Sequence, residues 1–421
     1  MKISYKIIAI ICVIVVVIAA GVYYYYTTLP TTEMVKIGVT VSLSGTWANY
    51  GELHKKAWTA AEWAVNELGG IYVPEFNKKV PLKIIMYDDA SDSTQAIKMY
   101  EKLITEDKVD FLFGPFGSPL NLAITSTTEK YKKPIIVINA VNYKIFTRGC
   151  KYVWGVQLVS FGYGYTPFWA LKDYIDKGLI TEKPLKIALI YDTSEWEPMV
   201  EGAKDALQKY SEYFNLVVEV PYELGAASFE PVISELQRHE FDALIGFSTY
   251  SDICGIVKYM KMANFRPKFV LLFDANLPEF IPQFGSDVEG ICSYWDWPIP
   301  KPNATPLYSK FREYFLAHNW GEPNVVYQGA LCAALEVAIQ TIEKVGLNSE
   351  KIRDYINEAE FTTCVGKMKF GTVTMCGQTM EGMNIYARGC VFQIQNGEYK
   401  CVWPIEYADS TLRYPLPPTF S

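Results

Sequence analysis

Only three histidines occur in the 421 residues, His54, His239 and His318, and each falls within or at the end of a stretch with helical periodicity. None stands beside a nucleophile motif. There is no G-x-S-x-G elbow, no lysine-bearing phosphate loop, and no G-x-G-x-x-G after the first strand. Hydrolytic and nucleotide-dependent chemistry therefore have no foothold, and neither enzyme activity nor a cofactor is expected. Zinc is unsupported as well, because no C-x-x-C occurs and no histidine lies at ligand spacing. Lys and Arg number 39 against 46 Asp and Glu, for a net charge of −7, and they form no basic run or stripe. A nucleic-acid partner is thereby excluded.

What is present is apolar and aromatic. Half of the residues are hydrophobic, with 30 Tyr and 10 Trp, and the length allows two or three domains. Residues 1–30 stand apart: Lys2 and Lys6 precede an uncharged run that is apolar from Ile7 to Val22 and continues into Tyr23–Tyr26. Tyrosines suit a membrane–water interface, and the leading lysines place the bulk of the chain outside. The segment reads as a membrane anchor, or as a signal segment cleaved near Ala19-Ala20-Gly21; either way the remainder is exported. Export permits disulfides among the eight cysteines beyond Cys12. In "CVFQIQNGEYKC" the Asn396-Gly397 turn sets Cys401 opposite Phe392 and diagonal to Cys390, a register that permits a bridge without being ideal for one. Cys332, on an apolar helix face, reads as a buried thiol.

Beyond the anchor, strands and helices alternate. Strands are predicted at Lys36–Val41, 82–89, 109–114 and 134–139, with helices between them, and the pattern restarts at 185–192. This order implies parallel sheets with helices on both faces, in two similar halves. Helices near 306–319, 325–345 and 349–358 follow without intervening strands, and then the composition turns to β-hairpins. The reading is one lobe of 35–155 with 297–362 and a second of 156–296 with 363–421. Extended crossings are expected near Tyr152–Leu158, Ile291–Trp297 and Thr363–Phe370; none is Pro/Gly-rich, which suits hinge strands.

Ligands of parallel α/β sheets bind beyond the carboxyl ends of the strands. There, "SLSGTWANYG" carries Trp47 and Tyr50 in a loop otherwise small and polar, and "GPFGSPLN" places Ser118 before Pro119 as a helix cap able to hold an anionic oxygen. In "DDASD" (88–92), Asp92 reads as a cap with Gln95 in a capping box, a better fit than a metal site. In the second half, Trp196, Tyr250 and Asp274 occupy equivalent positions after strands, which favours the lining of a cleft.

The ordered set "LSG…YG", "NELGGI", "YDDASDSTQA", "FGPFGSP", "KPIIVINA", "VEGICSYW", "NVVYQGALCAALEVAI", "VGKMKFGT" and "EYADSTLRYPLPP" resembles the extracellular solute-binding proteins of branched-chain amino-acid-type ABC transporters, over 35–421. The resemblance implies the type 1 periplasmic-binding-protein fold, two lobes joined by three crossovers, closing on a small solute and delivering it to a membrane permease. It places the carboxylate-holding serine on Ser118, backbone and side-chain contacts on Ala140 and Asn142, the aromatic lid on Trp196, and ammonium contacts on Tyr250 and Phe273/Asp274. Trp47 and Tyr50 would then wall the cleft. Asn142 departs from the Thr or Ser usual there, and Ala90 and Gly117 occupy positions where some members have a disulfide. Amino acids, amides and small organic acids, aromatic ones included, all remain open as solutes. The alternative is a membrane-tethered sensory receptor domain of the same fold.

Overall fold

The computed structural model describes residues 33–421 apart from 194, 195, 278, 419 and 421. The expected anchor at 1–30 lies outside the described residues, and among these no helix is long and apolar enough to cross a membrane. Runs such as VKIGVTV, apolar on both faces, are what a strand covered from both sides requires. Val35–Val41 is accordingly buried at six of its seven positions. It pairs in parallel with Leu82–Asp88 on one side, Val35 opposite Leu82, and with Phe111–Phe113 on the other, Ile37 opposite Phe111. Ile135–Val137 and Val153–Gly155 continue the sheet in parallel.

The chain thus leaves its first strand to one side and returns on the other. The loops after Val35–Val41 and Phe111–Phe113 part at that switch and open a crevice beyond the strand ends. A second sheet repeats the plan. Leu185–Asp192 lies between Phe214–Tyr222 and Ala243–Phe247, with Phe269–Leu272 and Cys292–Trp295 beyond, all parallel. Both sheets belong to one compact unit, Val35–Ser421. Helices Pro306–Ala317, Ala330–Val345 and Ser349–Glu358 share the core of the first sheet, through Leu307, Phe311, Leu331, Leu335, Ile352 and Ile356.

The final part of the chain departs from expectation. Glu360–Thr363, Gly366–Met375 and Gln378–Asn384 extend the first sheet past Val153–Gly155, with Met383 opposite Gly155. Residues 363–384, read above as part of the second lobe, therefore pair in the first sheet, and the third crossover follows Asn384. The available edges explain this: Val153–Gly155 leaves one open, whereas that of Cys292–Trp295 is taken by Cys390–Gln395. The closing hairpin matches its turn, with positive φ at Asn396 and Gly397 and Cys401 opposite Phe392. All eight cysteines of the described residues are unbridged.

Candidate functional site

On the first sheet, the segment after Val41 is clamped from below. The Thr40 and Ser42 hydroxyls each donate to buried Asp89 at 2.6 Å, and the Ser91 N–H donates to it at 3.0 Å. Asp88 accepts from the Leu43 and Ala90 N–H groups, and Asp92 caps its helix through the Gln95 N–H. The Gln95 amide donates to the Asp88 carbonyl, so the reciprocal half of the expected capping box is missing. Each carboxylate of DDASD is thus held by protein donors. Gly51 is required by proximity, since a Cβ there would lie 1.7 Å from the Ser42 carbonyl oxygen.

That clamp sets the two loop aromatics. Tyr50 stacks on Phe116 with ring centroids 4.1 Å apart, and Tyr327 tilts against it at 5.3 Å. Tyr327 lies in a single π-turn, Val325–Gly329, that opens the helix expected at 325–345. Such turns recur at functional sites. The Trp47 ring lies over Gly117, whose φ of +94° favours glycine at this turn.

Ser118 is not the helix cap expected of it. The helix begins at Ser118 itself, after Gly117, and the Ser118 Oγ instead accepts the Val141 and Asn142 N–H groups, each at 3.1 Å. With its acceptor sites used in this way, the hydroxyl proton is left to donate outward. The Asn142 side-chain oxygen Oδ1 accepts from the Lys144 N–H, so its side-chain amide N–H groups are what it can offer. Ala140 is buried in the core of this sheet.

From the second sheet, Trp196 precedes the helix Glu197–Lys209 and meets Phe273 edge-on at 5.3 Å. The neighbouring Asp274 has φ +55°, and burial pushes its carboxyl up to about 6, against a smaller opposing effect of the Tyr250 backbone N–H. Tyr250 turns its hydroxyl to Gln283 at 3.1 Å. Nearby, Asp296 accepts from the Tyr163 and Tyr294 hydroxyls at 2.7 and 3.1 Å, and burial likewise pushes it up to about 6. Among the described residues no Lys, Arg or His pairs with either acid, and their negative charge reaches Tyr327 on the first sheet's side.

A cavity of about 520 Å³ joins the two sides: Ser118, Asn142 and Lys144 line it from the first, Trp196, Met199 and Glu201 from the second. Three of the eight expected residues thus meet in one space. Trp47 and Tyr50 border the loop that carries Ser118, while Tyr250, Ala140 and Asp274 are not among the residues that line the cavity. A second set escaped the sequence reading. His54 Nε2 lies 2.9 Å from Asn139 Oδ1, and the Asn139 N–H donates to the side chain of Gln157 in the first crossover. Burial holds His54 down to about 4, hence neutral. A histidine on an alanine-rich helix face was its only signal in the sequence.

The family model described as "Periplasmic binding protein" matches residues 34–387. The chain belongs to the periplasmic binding protein family. Its relatives agree: Leu/Ile/Val-binding protein homolog 7 of Brucella abortus is 22% identical over 392 residues, covering 92% of this chain and 95% of the relative. A putative branched-chain amino acid ABC transporter protein from Silicibacter pomeroyi superposes with a TM-score of 0.75 at 16% identity, covering 91% of this chain and 99% of its own. A branched-chain amino acid transporter substrate binding protein from Streptococcus pneumoniae, in complex with isoleucine, gives 0.60 at 18% identity, with coverages of 87% and 98%. The fold is that of the type 1 periplasmic binding proteins, and solute binding is the activity this family and its neighbours support.

Proposed function

We propose that this periplasmic binding protein captures a small solute between its lobes outside the cell and delivers it to the permease of an ABC transporter, tethered by its N-terminal segment. The observation that carries the proposal is the cavity in which Ser118 and Asn142 of one lobe face Trp196 of the other. The Ser118 hydroxyl and the Asn142 amide would donate to a carboxylate or amide of the solute. Asp274, lacking a basic partner, would take a positively charged end, and Trp196, with Tyr50 and Trp47 at the border, would cover the body between. A solute touching both lobes gains its second set of contacts only on closure, so it shifts the open–closed equilibrium towards the form a permease can recognise. Moving that equilibrium decisively takes about 5 kcal/mol of differential affinity.

A thermal-shift screen of amino acids, amides and small carboxylic acids tests the proposal. A bound solute at a hundredfold excess over its Kd raises stability by about 2.7 kcal/mol. The shift should vanish in Trp196→Ala; a shift that this change leaves intact places the solute elsewhere.

A further inference from the structure

We propose that Cys332, Glu336 and Cys364 form a site for one thiophilic divalent cation, zinc being the ion their donor set fits. The spacing rules that argue against zinc look for C-x-x-C, and this cluster has none. Cys332 and Glu336 are four residues apart on one face of the helix Ala330–Val345. Cys364 arrives from the turn between Glu360–Thr363 and Gly366–Met375. The two sulfurs and a carboxylate oxygen lie within 4.8 Å of one another, and all three residues are buried. Thiolates with a carboxylate are a zinc donor set, and three protein ligands leave a tetrahedral ion one open position.

Two further observations favour a cation here. Glu336 is only 5% exposed, yet among the described residues no Lys, Arg or His forms an ion pair with it; Lys79, which lines the same cavity, bonds the Leu68 carbonyl instead. Buried carboxylates are normally paired or coordinate a metal. Its orientation is also fixed from outside the cluster, since Oε1 accepts from the Thr305 hydroxyl and Oε2 from the Cys364 N–H at 2.6 Å. Outer hydrogen bonds of this kind hold metal-binding carboxylates in place. A cavity of about 410 Å³, lined by Glu336, Thr305, Gln340 and Thr362, reaches the carboxylate side of the cluster, while the two cysteines lie behind its lining. A bound cation would pin the helix, the hairpin turn and the Thr305 segment together.

The test uses the full chain, reduced and stripped of metal, titrated with Co²⁺ as a spectroscopic substitute for zinc. The expected result is thiolate-to-cobalt charge-transfer absorption, with the visible bands of a four-coordinate site, saturating at one equivalent and bleached by Zn²⁺. Cys332→Ser and Cys364→Ser should each abolish it, Glu336→Gln should weaken Co²⁺ binding at least tenfold, and Cys390→Ser should leave it unchanged. The wild-type titration alone can refute the proposal: a folded, reduced protein that shows no such absorption overturns it. So does absorption that survives in a folded Cys332→Ser/Cys364→Ser double variant, or a Cys332–Cys364 disulfide in the protein as isolated.

Discussion

Asp274→Asn separates the demands of binding from those of stability. The wild-type carboxyl is raised by burial from 3.8 to about 6. A carboxyl whose folded pKa lies above its unfolded value contributes its full stability below about pH 3.8. That contribution is lost as pH rises through about 6, and the loss persists above it. The shift of roughly two units corresponds to about 3 kcal/mol, of which about 2 kcal/mol develops between pH 4.5 and 7.5. Asparagine stays neutral throughout, keeps an acceptor for the Tyr250 N–H, and tolerates φ +55°. Urea denaturation of both proteins should therefore show the variant gaining on wild type by about 2 kcal/mol over that interval, or about 2–3 °C in Tm for a chain of this length. Asp296 titrates over the same range in both proteins and cancels in the difference. A cationic solute should bind the variant more weakly at pH 7.5, and should bind wild type about tenfold more weakly at pH 5 than above pH 7. A stability difference that does not change with pH, or that favours wild type as pH rises, refutes the reasoning.

Three other changes probe the site and its supports. Ser118→Ala removes a hydroxyl donor worth about 1.5–3 kcal/mol to a charged acceptor, so calorimetry should show a Kd for a carboxylate solute raised about 10- to 150-fold. Asp89→Ala strands the Thr40 and Ser42 hydroxyls and the Ser91 N–H, and should cost about 3 kcal/mol or more in denaturant unfolding. His54 is held near 4 against an ordinary 6.5, so the stability it contributes above 6.5 is lost as pH falls towards 4. His54→Gln, which can still donate to Asn139, should spare about 2.5 kcal/mol of that loss at pH 4.5, measured by urea unfolding.

The lobes were legible because their strands are buried on both faces: VKIGVTV or ALIGF can serve only as interior parallel strands, and the loops between them carry the small residues and aromatics of a cleft. Hairpin membership was not. Gly366–Met375 alternates between buried and exposed positions at its start, which suits the edge of either sheet, and pairing at Val153–Gly155 decided the matter. Ser118 was misread as a cap, since S-P before a helical run signals one whether or not the hydroxyl turns to Val141 and Asn142. The chain from His54 to Gln157 and the cluster at Cys332 join residues far apart in sequence. Spacing rules are blind to such contacts, because only the crossovers and the hairpin turn bring these side chains together.

The most direct test of the interlobe cleft is a calorimetric titration of the solute found by screening against wild type, Ser118→Ala and Trp196→Ala, one residue from each lobe. A solute held between the lobes must lose at least tenfold in affinity in each variant while the variants keep their cooperative unfolding. A Kd unchanged by either substitution, with both variants folded, would place the solute outside this cleft and contradict the assignment.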